Sequence, residues 1–292
     1  MKVRKLKYKS FLNYLKQNPF ALCCLIFIIC FTILAVFADF FAPYGLTESD
    51  FSSPKAAPNS VHWLGTDELG RDIFSRMLYA SRISIIIGII PTTINLVFGT
   101  LLGILAGMSS KWIDNLIMRI GDIILSYPFM ILAMAIIYTL GPSIKNLMIT
   151  LVVVGWATIA RIVRSQTLVI NNLQYVEAAK LMGKNKLYIM WHHVLPNIRS
   201  TLIVLYTMAI PNAILSEAAM SFLGFGAQPP QTSLGVMVSK GRQYLLDYPW
   251  ISLAPAIYIL LLSICLNYFG DAVRDYYDHD RLLQQTAIKE GR

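Results

Sequence analysis

Residues 177–196 read EAAKLMGKNKLYIMWHHVLP, a polar and basic stretch set between two long apolar runs. Ala178, Ala179, Lys180, Leu181 and Met182 are strong helix formers, which predicts a helix over residues 173–182. Gly183 stands where that helix must stop, because glycine takes the left-handed terminal conformation without strain. A second amphipathic helix is expected from about Asn185, with Leu187, Ile189, Met190 and Val194 on its apolar side. Pro196 suits the first turn of the helix that follows and little else. The product is two short helices joined by a tight turn, with Ala178 and Ala179 small enough for another protein to approach closely. On the residues alone two readings stay open: a projecting lever that passes mechanical work to or from a partner, or an interfacial helix pair that seals a bundle.

The surroundings are those of a membrane protein. The chain is 56% hydrophobic and 14% charged, with a mean hydropathy of +0.57. Soluble domains carry about 25% charged residues, so most of this chain faces lipid or other apolar helices. A net charge of +9 suggests nucleic acid at first sight. The positive residues sit between apolar runs rather than on one soluble surface, so no nucleic-acid partner is expected. Cys23, Cys24, Cys30 and Cys265 lie inside apolar runs without ligand-like spacing and read as small buried hydrophobes.

A spanning helix needs about 20 mostly apolar residues. Residues 20–38, 83–108, 117–140, 144–162, 198–225 and 250–269 meet that need, which makes six spans. The first is longer than the roughly 7–15 residue apolar core of a secretory signal, and it reads as a retained helix over 20–40. With the N-terminus inside, 18 of the 25 lysines and arginines fall on the cytoplasmic side. That bias predicts a cytoplasmic arm over 1–19, a cytoplasmic tail over 272–292, and both termini inside. The outer loop 41–81 is expected to carry a short amphipathic helix from Asp67, with Ile73, Met77 and Leu78 apolar and Arg71, Asp72 and Arg76 polar, lying on the membrane surface or capping the outer end of the bundle. Residues 226–249 read as a second outer loop. No internal repeat is visible, which weighs against an inverted-repeat secondary transporter.

Charges within spans invite functional suspicion. Arg119 and Asp122 lie three apart on one helix face and are expected to pair locally, with gating as the lesser alternative. Glu217 falls near the outer end of its span, and a structural hydrogen bond is favoured there over an outer gate. Arg161 and Arg164 read as inner-interface anchors. Pro91, Pro128, Pro211 and Pro255 are expected to kink the spans that hold them. His192 and His193 point about 100° apart on a helix, so they read as solvated or partner-facing rather than as metal ligands. The sequence has no G-x-x-x-x-G-K-[ST] loop, no H-E-x-x-H, no G-x-S-x-G and no nucleophile–base pair. Neither an enzyme nor a resident cofactor is expected, and any ATP would be bound by partners.

Glu177-Ala178-Ala179, Gly183 and Val194-Leu195-Pro196 resemble the EAA–G–[IV]LP signature of permease subunits from binding-protein-dependent ABC importers. Four further segments are similar to the C-type permease of the dipeptide/oligopeptide/nickel class. They are LGTDELGRDIFSRMLYASRISI (64–85), Asp114 with MRIGD (118–122), EAAMSFLGFG (217–226) and NYFGDAVRD (267–275). The resemblance covers residues 15 to 280, with two departures. Met108-Ser109-Ser110 stands where the family shows an aromatic and glycines, and Asp278-His279-Asp280-Arg281 replaces an Asp-Pro-Arg ending.

The resemblance implies an all-α, polytopic type I importer permease fold. It would have six transmembrane helices, a five-helix core over 82–271 and a cytoplasmic coupling segment over 172–196. The hairpin would dock in a cleft on a separate ATPase. Glu177 would make a polar contact there, Gly183 would permit the turn, and Leu195 and Pro196 would anchor the lever to the fifth span. The implied partners are a second permease subunit, two ABC ATPases, an extracytoplasmic binding protein, membrane lipid and a peptide substrate. The implied location is a bacterial inner membrane. Import of nickel or a metal chelate is the nearest variant, and an ion-coupled secondary transporter is the alternative from another class.

Overall fold

The computed structural model describes residues 11–290, with backbone alone over 278–290, so the basic residues from Lys2 to Lys9 and Arg292 lie outside the described residues. The side chains of Asp278, His279, Asp280 and Arg281 lie outside them as well. In chain order the helices are α1 (Phe11–Gln17), α2 (Pro19–Val36), α3 (Ala38–Phe41), α4 (Ile73–Met108), α5 (Lys111–Leu125), α6 (Phe129–Leu140) and α7 (Ile144–Asn171). Then come α8 (Gln174–Leu181), α9 (Lys186–Ile189), a π-helical turn (Met190–Val194), α10 (Leu195–Phe222), α11 (Leu234–Gly241) and α12 (Trp250–Glu290). Among the described residues, five helices are long and apolar enough to cross a membrane, and the bent pair α5–α6 makes six when it is counted as one broken span.

The frame of the bundle is the α4–α7 pair. Without a hydrophobic force between helices in lipid, close backbone approach through small residues is what binds them. A Cβ on Gly103 would stand 2.6 Å from the Ala160 carbonyl oxygen and 2.7 Å from Val163 Cβ, and Gly99 and Gly107 meet α7 as closely one turn to either side. Asn95 adds a polar tie, donating from Nδ2 to the Leu151 carbonyl at 3.0 Å. The outer helices hang on this frame through local devices. Arg82 of α4 donates to the Ala35 and Val36 carbonyls at the end of α2 and reaches Asp39 Oδ2 at 2.6 Å, and that contact holds the Asp39 carboxyl below the usual carboxylate range. The short α1 packs Phe11 and Tyr14 against Phe269 and Tyr276 of α12.

Three expectations change. The outer loop carries no separate amphipathic helix, because α4 itself begins at Ile73 and runs unbroken into the membrane. Asp72 fixes that start: its carboxylate accepts the Ser75 N–H at 2.7 Å, while His62 holds the same carboxylate at 3.0 Å. Ile73, Met77 and Leu78 are buried against the bundle, so of the two expected placements the packing is with the bundle and not on the membrane surface.

The third span is not one helix. α5 and α6 meet at 91° across Ser126, Tyr127 and Pro128. Proline disfavours the helical conformation of the residue before it and has no N–H to continue the ladder, so a largely apolar run still breaks here. Pro128 therefore caps α6 instead of kinking a continuous helix. α5 has 15 residues and α6 has 12. At about 1.5 Å per residue, neither alone covers the roughly 30 Å hydrocarbon core. Ile117 of α5 packs on Ala106, Ala157 and Ala160, toward the α8 end of α7. Ala133 and Ile137 of α6 pack on Ile87, Leu147 and Leu151, toward the other end. The elbow thus lies midway along α7.

The cysteines divide. Cys24 is buried, whereas Cys23 and Cys30 face outward from α2. The outward pair lies on the exposed side of an uncharged, apolar helix, where a thiol is tolerated as a small apolar group.

Candidate functional site

The projecting hairpin is built from α8, Gly183, α9 and the π turn. Val176 and Ala179 are the buried side of α8, and Val176 joins Ile189, Val194 and Ile198 with Ile159, Val163 and Ile170 of α7 in one apolar cluster. Ala179 therefore faces inward, away from any partner. Of the expected pair of small contact residues, Ala178 alone is exposed. Gly183 has φ +77°, and an added Cβ would meet nothing within 4 Å. Conformation rather than space demands glycine. The Lys184 N–H donates to the Ala179 carbonyl at 3.1 Å and the Gly183 N–H to the Lys180 carbonyl at 2.9 Å, which closes α8 in a Schellman motif.

The second arm is not a separate helix. α9, the π turn and α10 form one path from Lys186 to Phe222. The widening at the π turn has a cause in Pro196. A proline cannot donate to the carbonyl four residues back and its ring crowds that carbonyl, so the turn before it opens. The Leu195 N–H then reaches back five residues to the Met190 carbonyl. Asn197 Nδ2 takes up the His193 carbonyl at 2.6 Å and also donates to the Tyr175 hydroxyl at 3.1 Å, tying this arm to α8. His192 stacks on Tyr188 at 4.1 Å between centroids, and His193 lies on Tyr175. Val194 is buried, Leu195 is half-buried and Pro196 is exposed.

Glu177 is exposed on α8 and has no partner among the described residues. Around it and at the tip stand apolar side chains in the open: Leu181 at 90% exposure, with Met182, Leu187, Trp191 and Tyr175. Contiguous apolar surface of this kind marks an interaction site. Leu181, Met182 and Trp191 were not singled out from sequence as contact residues. The available signal was an apolar pair placed immediately before the turn glycine, where no core position remains to receive it.

Two ion pairs join α5 to α7. Arg161 donates to Asp122 at 2.7 Å. Arg164 is bidentate to Asp114, with Nη2 to Oδ2 at 2.6 Å. Asp122 therefore pairs across helices and not with Arg119, which is exposed with no ion pair among the described residues. The i,i+3 geometry allowed the local pair, but the packing of α5 on α7 offers Asp122 a guanidinium from the side. Arg161 and Arg164 thus position α5.

Above these pairs, α4, α6, α7 and α10 enclose a cleft of about 670 Å³. Its walls are mostly apolar, with Thr92, Asn95, Thr158, Asn212 and Ser216 as polar points. A second cleft of about 350 Å³, lined by Gln166, Ser200 and Thr201, shares Leu205 and Met208 with the first. Together they make a track down one face of α10. Glu217 is not part of either wall. It is buried in the α10–α11 contact and accepts a hydrogen bond from Ser221 Oγ at 2.6 Å.

Residues 99–278 match the family model described as the binding-protein-dependent transport system inner membrane component. The chain belongs to that family. Residues 8–58 of this permease also match the N-terminal TM domain of oligopeptide transport permease C. It is 39% identical over 271 residues to the dipeptide transport system permease protein of Alkalihalophilus pseudofirmus, which covers 93% of this chain and 89% of that one. The glutathione transport system permease protein of Pectobacterium atrosepticum is 36% identical over 267 residues, covering 91% and 88%. The probable D,D-dipeptide transport system permease protein of Escherichia coli K12 is 38% identical over 264 residues, covering 90% and 89%. The MetNI methionine ABC transporter in an inward-facing conformation superposes with a TM-score of 0.54 at 19% identity, over 66% of this chain and 92% of that chain. At that identity the likeness shows the shared fold alone. The type I importer permease fold expected from the EAA segment is the fold found, and this is a multi-pass component of an ABC importer's membrane portion.

Proposed function

We propose that this permease is the C-type membrane subunit of an ATP-driven peptide importer. It lines the passage together with a second permease subunit, and two separate ABC ATPases and an extracytoplasmic binding protein complete the system. The observation that carries the reading is the hairpin: a buried root of Val176, Ile189 and Val194 holds up a tip whose apolar side chains are exposed among the described residues. Glu177, Ala178, Gly183, Leu195 and Pro196 are the coupling residues, with Ala179 facing inward and Val194 packing the root. Because the π turn makes the second arm continuous with α10, a push on the tip moves the wall of the cleft directly. Asp122 and Glu217 have structural rather than gating roles in this scheme, and Arg119, exposed and unpaired among the described residues, has neither. The dipeptide and glutathione permeases among its relatives support a peptide cargo. The lysine and arginine bias supports a bacterial plasma-membrane location with both termini in the cytoplasm.

The test is reconstitution. The two permeases are co-purified with the ATPases of the same system and placed in liposomes with binding protein. Uptake of a labelled dipeptide is then followed with and without ATP, and a photo-crosslinker at Lys184 is assayed for capture. ATP-dependent uptake with ATPase captured at Lys184 is expected. Uptake driven by a proton gradient with no ATPase present, or a crosslinker that captures no ATPase, overturns the reading.

A further inference from the structure

Two clefts open onto one face of α10, and a single charged side chain lines them. The 670 Å³ cleft runs from Ala219 past Phe129 and Met130, at the start of α6, to Leu205 and Met208. The 350 Å³ cleft continues from those two residues to Ser200, at the hairpin end of α10. From Ala219 to Ser200 the track measures about 28 Å along the helix. Every side chain lining the larger cleft is uncharged, and in the smaller one Arg274 alone carries charge.

The packing of α12 explains why Arg274 reaches the track. Gly270 lets α12 close on α10: an added Cβ would stand 3.6 Å from Met208 Cγ and from the Thr207 carbonyl oxygen. Arg274 and Tyr277 follow four and seven residues later, on the same face of the helix. Asp271 and Asp275 lie about 100° further round. They line a separate groove with Tyr14 and Asn18, which Arg274 also borders. Carboxylates thus balance the guanidinium on that side, and none lines the cleft on the other. Gln166 of α7 and Ser200 of α10 stand half-buried in the same cleft, and neither side chain makes a hydrogen bond among the described residues. A cation between apolar walls focuses its field into the cleft, and the guanidinium fork fits a carboxylate with two parallel N–H donors.

We propose that Arg274 draws the C-terminal carboxylate of a peptide to the hairpin end of the passage, where Gln166 and Ser200 donate to it as well. The peptide therefore travels carboxylate first. The inference rests on the peptide-importer reading and deepens it. The larger cleft tolerates varied side chains, and the one group read is the terminal carboxylate that unmodified peptides share. Because Arg274 is exposed, the preference is modest, which suits a station that has to release what it holds.

The experiment places the assembled complex of two permeases and two ATPases in nanodiscs of zwitterionic lipid, without binding protein or nucleotide. Equilibrium binding is measured for tritiated alanyl-phenylalanine and for the same dipeptide as its C-terminal amide. The acid is expected to bind about fivefold more tightly than the amide, the scale of an exposed charge pair. Arg274→Gln brings that ratio to about one by weakening the acid alone, whereas Arg274→Lys keeps most of it. Ser200→Asp sets a competing carboxylate in the cleft and also removes the preference. Co-purification of the ATPases reports that each variant assembles, and if Arg274→Gln does not, Ser200→Asp decides. Equal binding of acid and amide by the unaltered complex overturns the proposal, as does a preference for the acid that survives the deciding variant. An Arg274→Gln complex that loses affinity for both probes alike overturns it too, since the residue then acts on the fold of the cleft. Absence of dipeptide binding while ATP-driven uptake persists sinks the proposal and leaves the importer reading standing. Absence of ATP-driven uptake instead removes the reading beneath it.

Discussion

The hairpin at one end of the bundle and the elbow midway along it both interrupt helices, and the difference between them lies in their solvent. The hairpin turns in water, so its free backbone groups need only a glycine, a Schellman pair of hydrogen bonds and hydration. Its rigidity comes from the apolar root on α7. The elbow turns where water is scarce, and its unpaired groups must meet protein or an aqueous passage. A break in water reveals only where the chain reverses. A break at depth also marks which face of the bundle cannot be lipid, and here that face carries the cleft.

The two interruptions should therefore fail differently when altered. Gly183→Pro is expected to have the largest effect, because proline is fixed near φ −65° and the turn stands at +77°. Membrane insertion and melting of the permease pair should be unchanged, while the ATPases no longer co-purify and ATP-driven uptake is lost. Normal co-purification would show that the tip is not the docking element. Pro128→Ala restores a donor to the Ile124 carbonyl and lets α5 and α6 straighten toward one helix. Here the ATPases should co-purify normally while uptake falls by about tenfold, equivalent to roughly 1.4 kcal/mol on the transport barrier. Unchanged uptake would separate the elbow from the passage.

A smaller effect is expected at the tip itself. Leu181→Ser removes an apolar side chain that is 90% exposed, so the permease loses no stability of its own. If the ATPase buries that side chain, association weakens by about 1–2 kcal/mol, or roughly tenfold in affinity, as for a secondary contact in an interface. Titration of nanodisc-bound permease pairs with purified ATPase reads this directly. An unchanged affinity would move the docking surface toward Leu187 and Trp191.

The hairpin was legible in the sequence because each of its devices is local. Gly183 and Pro196 announce a stop and a start, and the polar run between apolar spans announces the exposure. Its details were less so. The π turn depends on how the Pro196 ring meets the carbonyl four residues back, and the burial of Ala179 depends on where α7 lies. The elbow was missed because hydropathy reports composition, and the run around Tyr127-Pro128 is apolar on both sides of the break. The proline was visible, but nothing local distinguishes a kinked helix from a right-angle turn. The start of α4 shows a different limit. The amphipathic pattern from Asp67 left a membrane-surface helix and a cap on the bundle both open, and only the packing of Ile73, Met77 and Leu78 decides for the bundle.

The smallest effect tests how the elbow's inner limb is held. Sequence spacing joins Asp122 to Arg119 within α5, whereas the structure joins it to Arg161 of α7. Both side chains of the observed pair are about half exposed, so the pair contributes at most about 1 kcal/mol and acts chiefly to set the rotation of α5. Asp122→Asn should lower the melting temperature by roughly 2 °C, and Arg161→Gln added to it should cause little further loss. Arg119→Gln should be neutral alone and additive with Asp122→Asn. Coupling between Arg119 and Asp122 in that cycle would mean that α5 sits rotated in the membrane relative to α7. The elbow would then present a different edge to the cleft, and the contrast between a turn in water and a turn at depth would need a new boundary.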